Sequence, residues 1–355
     1  MIQRFLLIKL KALSGKIKKV FCFSLFYISF AWYIYSMKKI FWKNKRVLVT
    51  GADGFVGPYF LAMLLSSEAT VFGSVLKKGK SDKKQQAEIV ELDVLDKEKL
   101  MVFCRKKKIN FIIHCAVVDG NAEFKEKEAA RIIRENIKMT ANVLNVARVL
   151  GIKELIIFSS AQIYAANLNG SIKEEDDYTK SFPELDNAYA AAKISTEILA
   201  RLYQFKFGLK ILLPRPTNSY GPEIGISVKS NRVIARMIER IMSGQEIEIW
   251  GDGRQTRSFI YITDFISSII RLVENGNYGV FNIATNENIS IKDLAELIAR
   301  LSGRKLRIKF TKAKMGGARK RFLNIVKLNQ AIDFKPLSLE AGLKKTIVEY
   351  KKKYL

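Results

Sequence analysis

Lys45-Arg-Val-Leu-Val-Thr50, running directly into Gly51-Ala-Asp-Gly54-Phe-Val-Gly57 and then the apolar stretch Tyr59 to Leu65, decides the fold. Six residues rich in valine and leucine read as a buried strand, and the apolar stretch reads as a helix. Strand, glycine turn and helix in that order form the context of a dinucleotide-binding turn. Gly51 permits the tight turn, Gly54 lets backbone approach a pyrophosphate, and Gly57 lets helix pack on strand. The free N–H groups at the positive end of the helix then face the anion. Pro58 falls in the first helical turn, where its missing N–H costs little. Gly51, Asp53, Gly54, Phe55, Val56 and Gly57 are the candidate cofactor contacts of this turn.

Beyond the turn, strand-like and helix-like segments alternate, as a parallel sheet covered on both faces demands. Thr70 to Leu76, Glu88 to Leu92, Asn110 to Ala116, Glu154 to Ser159 and Lys210 to Leu213 read as strands. Lys127 to Leu150 reads as a long helix, and a second helix carries Tyr189 and runs to about Phe207. After Pro222 the pattern changes to shorter mixed elements: Arg232 to Ser243, Glu246 to Trp250, Asp264 to Glu274 and Val280 to Ala284. The expected class is α/β: a Rossmann-like, doubly wound parallel sheet with a smaller mixed α/β C-terminal lobe. Residues 1–44 form an extension, 45–222 the dinucleotide-binding domain, and 223–355 mainly a discontinuous substrate lobe that returns an element to the sheet. A ligand belongs in the cleft between the strand ends and the lobe.

Tyr189-Ala-Ala-Ala-Lys193 sets a phenol and an ammonium on one helix face, one turn apart. A free phenol has a pKa near ~10, and a neighbouring ammonium favours its anion. That pair is expected to lower the phenol and make a general base for an alcohol. Ser160, 29 residues earlier, is placed to hold that alcohol by a hydrogen bond.

With 355 residues and 48% apolar content the chain can bury a large core. Cys22, Cys104 and Cys115 have neither metal nor redox spacing, which fits a reducing, cytoplasmic setting. His114 is the sole histidine, so no histidine-based metal site is expected, and its apolar surroundings suggest packing at a strand end. The net charge is +27, but residues 1–46 carry eleven Lys/Arg and no acid, leaving +16 on the remainder. No nucleic-acid motif accompanies the charge, and a lysine-rich surface would draw in a diphosphate-bearing substrate. Val20 to Met37, interrupted only by three serines, would span ~27 Å as a helix, barely enough for a hydrocarbon core. Two readings stand: a membrane anchor holding the enzyme at the inner face of a membrane, or a true start at Met37.

Five stretches in order resemble the extended short-chain dehydrogenase/reductases that act on nucleotide sugars, the NAD-dependent epimerase/dehydratase family. They are Thr50 to Gly57, Ser159-Ser160-Ala-Gln-Ile-Tyr164, Tyr189 to Lys193, Arg215-Pro-Thr-Asn218-Ser-Tyr-Gly221-Pro222, and Gly251-Asp-Gly253-Arg-Gln-Thr-Arg257 through Asp264. The resemblance implies that Tyr189 removes a sugar hydroxyl proton during hydride transfer, with Ser160 orienting the hydroxyl and Lys193 also binding the nicotinamide ribose. It implies that Asp93 and Val94 meet the adenine side, that Ala116 and Val117 line the nicotinamide side, and that Asn218, Arg257 and, more weakly, Arg321 contact the substrate diphosphate. A homodimer paired through Rossmann-domain helices is implied as well. Where an NAD enzyme of this type carries an acid for the ribose hydroxyl, this chain reads Ser74-Val-Leu-Lys77-Lys78, so the cofactor expected is NADP, with NAD as the alternative. Ala161 and Gln162 follow Ser160 where 4,6-dehydratases place acids, which disfavours dehydration. Segments around Arg232 and Gly342 resemble GDP-fucose synthases, yet Ala161 and Arg232 stand where those enzymes need cysteine and histidine. Epimerisation or reduction at one sugar carbon, C4, is the expected reaction, against a 4,6-dehydratase or a non-catalytic NAD(P)-binding sensor.

Overall fold

The computed structural model describes residues 41–77, 87–165, 167–181, 187–223, 232–312 and 321–354. Lys78, the stretch Val20 to Met37 and Cys22 lie outside the described residues, as does the side chain of Arg321.

Seven strands build the main sheet: β1 (Arg46–Thr50), β2 (Thr70–Val75), β3 (Glu88–Glu91), β4 (Phe111–His114), β5 (Glu154–Ile157), then β7 and β11 below. A short strand β6 (Gly170–Ile172) lies outside this sheet, before β7 (Lys210–Pro216). After β7 come β8 (Asn218–Tyr220), β9 (Ile247–Trp250), β10 (Thr256–Tyr261), β11 (Gly279–Ile283), β12 (Asn288–Ser290), β13 (Ile308–Thr311) and β14 (Arg321–Leu323), of which only β11 joins the main sheet. The order in the large sheet is β11-β7-β5-β4-β1-β2-β3, with every neighbouring pair parallel. β11 comes from beyond residue 223, so the chain returns to the sheet after it has begun the lobe.

Both faces of the sheet are buried, and side chains alternate between them along each strand. Val47 and Val49 enter one core while Leu48 enters the other; Phe111 and Ile113 likewise oppose Ile112. The first core is closed by the helices Gly57–Ser66 and Ile262–Glu274, the second by Lys97–Lys106, Ala129–Leu150 and Ala188–Phe207. A third core gathers Ile234, Ile238, Leu294, Ile298, Leu343 and Ile347 from the lobe helices Val233–Met242, Ile291–Ser302 and Leu339–Tyr354.

At the N-terminal rim of the sheet, Trp42 is fully buried, with its indole N–H donating to Glu274 Oε1 at 2.9 Å and its ring 4.9 Å from Phe111. Lys45 pairs there with Glu154 at the start of β5. At the opposite rim the strand order reverses between β1 and β4, and their ends open the crevice where ligands of such sheets bind.

Candidate active site

The glycine turn leaves β1 at this reversal point. Gly51 has φ +64°, and a Cβ there would lie 2.8 Å from the Ala116 backbone. A Cβ on Gly57 would lie 2.4 Å from the Gly51 carbonyl oxygen. Both positions therefore exclude any side chain, whereas Gly54 is exposed and only closes a turn through its N–H on Gly51 O at 3.1 Å. Thr50 ties the ends of β1 and β4 together: its hydroxyl oxygen is 2.8 Å from His114 Nδ1 and accepts the Ala116 N–H at 3.1 Å. Burial, with the nearby Lys193 charge, drives His114 down to about 3, so it is a neutral structural partner. A tight turn with exposed backbone ahead of a helix N-terminus fits a dinucleotide pyrophosphate.

The other wall comes from the end of β5 and the helix Ala188–Phe207. Ser160 is buried and accepts the Gln162 N–H at 3.1 Å, which fixes the turn after the strand. Asn187 caps the helix by accepting the Ala190 N–H at 3.0 Å. Two residues on, Tyr189 presents its phenol beside the Ser160 side chain. Lys193 is buried, donates from Nζ to the Phe158 carbonyl at 2.7 Å, and lies 5.7 Å from the centroid of the Tyr189 ring. Ser160, Tyr189 and Lys193 are thus brought together at the strand-end rim; Ala116 and the exposed Val117 follow β4, and Val118 after them packs in one apolar cluster with Tyr189.

The electrostatics differ from the sequence expectation in one respect. Burial pushes the Tyr189 phenol above its ordinary range, the Asp119 carboxylate adds to this, and the Ser160 side chain pulls the other way. Burial also lowers Lys193, to about 8, against the opposing charge of Asp119. Burial is the leading influence on the phenol, which therefore lies above its ordinary range and not below it.

Helix register is set by a network that the sequence reading did not assign. Glu197, one turn beyond Lys193, is fully buried and accepts two bonds from Arg215, from Nε at 2.8 Å and Nη2 at 2.7 Å. Arg215 also donates to Asp177 at 2.9 Å and to the Tyr164 hydroxyl at 2.8 Å, while Arg201 donates to Asp177 at 2.8 Å. This joins β7, the Tyr189 helix and the loop after Ser160. The i, i+4 run Tyr189, Lys193, Glu197, Arg201 was the legible signal for it. Asp119 and Lys125, which face Tyr189 from the segment after β4, were also missed.

The remaining candidates fall in other places. Asp93 is exposed and its carboxylate accepts the Leu95 N–H at 2.8 Å, while the Val94 side chain packs into the second core. Asp96 caps the next helix by accepting the Lys99 N–H at 3.0 Å. Lys77 is exposed, and Ser74 Oγ at the end of β2 is enclosed without a hydrogen-bond partner. Asp53, Phe55 and Val56 are half-buried in the turn, with the Arg232 guanidinium 3.7 Å over the Phe55 ring. Asn218 and Arg257 lie on the paired lobe strands β8 and β10; Asn218 donates to Ser258 O at 3.3 Å and Arg257 to Thr256 O at 2.8 Å. Burial lowers the Arg257 guanidinium. Among the described residues, no hydrogen bond or ion pair joins Asn218 or Arg257 to the Tyr189 cluster. The Arg321 backbone pairs β14 with Gly170 of β6. No cluster of metal-ligating side chains occurs among the described residues.

Known proteins share this fold. The chain is 36% identical over 317 residues to a dTDP-4-dehydro-6-deoxy-D-allose reductase from a Streptomyces species, covering 87% of this chain and 97% of that one. It is 28% identical to a GDP-L-fucose synthase from Sinorhizobium fredii, over 85% and 94% of the two chains. The UDP-glucose 4-epimerase of Thermotoga maritima, solved with UDP-glucose, superposes with a TM-score of 0.79 at 26% identity, covering 87% of this chain and all of that one. Residues 47–284 match the model of the NAD dependent epimerase/dehydratase family, and the chain belongs to that family.

Proposed function

We propose that this enzyme reduces the 4-keto group of a nucleoside-diphosphate-linked deoxy sugar, with NADPH as the reductant. The observation that carries the reading is the convergence of Ser160, Tyr189 and Lys193 at the sheet's reversal point. Burial, which favours the neutral phenol, suits the proton donor that a ketone reduction needs. The relation to the Streptomyces reductase supports the same direction. Ala161 and Gln162 offer no acid for eliminating water, which speaks against a 4,6-dehydratase.

When bound, the dinucleotide supplies the hydride that the carbonyl carbon accepts. Tyr189 delivers its phenolic proton to the carbonyl oxygen, completing the alcohol, and Lys193 stabilises the phenolate left behind. Ser160 donates a hydrogen bond to the same oxygen and orients it. The turn from Gly51 to Gly57 would hold the pyrophosphate, and Asp93, Val94, Ala116 and Val117 would flank adenine and nicotinamide. Lys77, in place of an acid beyond β2, supports NADPH over NADH. Arg257, a guanidinium partly stripped of water and without a carboxylate partner among the described residues, suits the substrate diphosphate, with Asn218 beside it and Arg321 as a further contact. A homodimer is supported by Ile198, Leu202 and Phe205, apolar residues 51%, 48% and 82% exposed along one side of the Tyr189 helix. The free Cys104 and Cys115 accord with a cytoplasmic setting.

The test is turnover of a panel of UDP-, GDP-, dTDP- and CDP-linked sugars and 4-keto sugars, with and without NADPH. NADPH consumption with a 4-keto substrate is expected, and Tyr189→Phe should cut kcat by about 10³-fold. Conversion without added cofactor would make the enzyme an epimerase, and silence across the panel a sensor.

A further inference from the structure

The helix Ala122–Lys127 is short, yet it is fixed at several points. Asn121 caps it by accepting the Phe124 N–H at 2.8 Å. Phe124 sits so close over Gly120 that a Cβ there would lie 2.6 Å from its ring, and it packs in one apolar cluster with Ile132, Ala188 and Tyr189. This brings Lys125 Nζ 4.6 Å from the centroid of the Tyr189 ring, nearer than the 5.7 Å of Lys193. Asp119 holds the ammonium there by an ion pair of 3.0 Å, with the two side chains only 28% and 36% exposed.

We propose that Lys125 is a positioning residue for Tyr189, clamping the ring by its face and stabilising the phenolate formed when the proton leaves. The inference rests on the proton-transfer role proposed for Tyr189. A cation over an aromatic face is attracted by the ring's electron density, and more strongly when the ring carries an anion. Lys193 sits on Tyr189's own helix and makes its strong bond to Phe158 O, so the second ammonium is not redundant. The charged and titratable groups facing the phenol are Lys193, Lys125 and Asp119, with the Ser160 hydroxyl beside them.

Without Lys125 the phenolate is less stable and forms only at higher pH. Oxidation of the sugar alcohol needs the phenolate, so its rate is lost as pH falls through the phenol's pKa. Lys125→Met should therefore move this acidic limb up by about one pH unit and lower kcat about tenfold, with KM little changed. Lys125→Arg, which keeps the cation, should recover both. An unmoved limb and unchanged kcat in Lys125→Met would overturn the proposal, as would equal impairment of the Met and Arg variants, which marks a packing role alone. Tyr189→Phe separates the two levels. Turnover close to wild type in that variant overturns the role of Tyr189 itself, whereas an inactive Tyr189→Phe with an unaffected Lys125→Met overturns only the role of Lys125.

Discussion

Arg215 shows how one side chain sets the geometry of others. It is wholly buried, yet its charge is matched by Glu197 and Asp177 and its remaining donors by Tyr164 and the Glu174 carbonyl. Removing one partner of such a group is costly because the others stay buried with unmatched charge. Arg215→Met should destabilise the fold by about 3 kcal/mol, near the lower end for a buried pair because Arg201 still reaches both carboxylates. Urea unfolding measures this, and a change below about 1 kcal/mol would mean the network holds little. The same burial explains why phenol and ammonium did not behave as their spacing promised. Distance along a helix is legible in a sequence; the surroundings of Tyr189 and Lys193, Phe158, Asp119 and Lys125 among them, come from other segments.

At the scale of elements, the helix Ala188–Phe207 is the part on which the site turns. Its cap, Asn187, lies two residues before Tyr189, so fraying of the first turn reaches the phenol first. Asn187→Ala is expected to cost about 1 kcal/mol of stability and to lower kcat more than it raises KM. Steady-state kinetics beside a denaturant titration would detect both effects, and a purely thermodynamic loss would detach the cap from the chemistry. The alternation of β1, β4, β5 and β7 between two cores was legible in their runs of Val, Ile and Leu, as was the long helix ending at Leu150. The short helix Ala122–Lys127 was not, since six residues rich in Lys and Glu carry no periodicity. Nor were β6 and β14, which have three residues each and pair only with one another in two-stranded contact. Such elements are specified by partners far along the chain, not by their own composition.

Across the whole molecule, His114 and Asp177 govern stability on the acid side, each binding fewer protons folded than unfolded. His114 is held near 3 against an ordinary 6.5. Burial alone would raise the Asp177 carboxyl, but bonds from Thr179, Arg215 and Arg201 hold it far below the usual range. Both folded values are depressed, so their contribution is complete above the unfolded values and is lost as pH falls toward the folded ones. Stability should therefore decline as pH falls below 6.5, His114 accounting for up to about 1.4 kcal/mol per pH unit before the carboxylates titrate. Denaturant midpoints between pH 7 and about 4.5 test this; His114→Gln should flatten that stretch, and an unchanged slope would refute the assignment.

Trp42, locked by Glu274 and Phe111 at the rim where the strands begin, has a practical corollary for anyone handling the enzyme. Whatever is attached to the exposed Lys43 beside it, whether an affinity resin, a fluorescent partner or a lipid surface, is fastened at the pole away from Gly51, Ser160 and Tyr189. Immobilisation through that end leaves the mouth of the cleft turned outward, and a captured enzyme should process a bulky sugar donor as freely as one in solution.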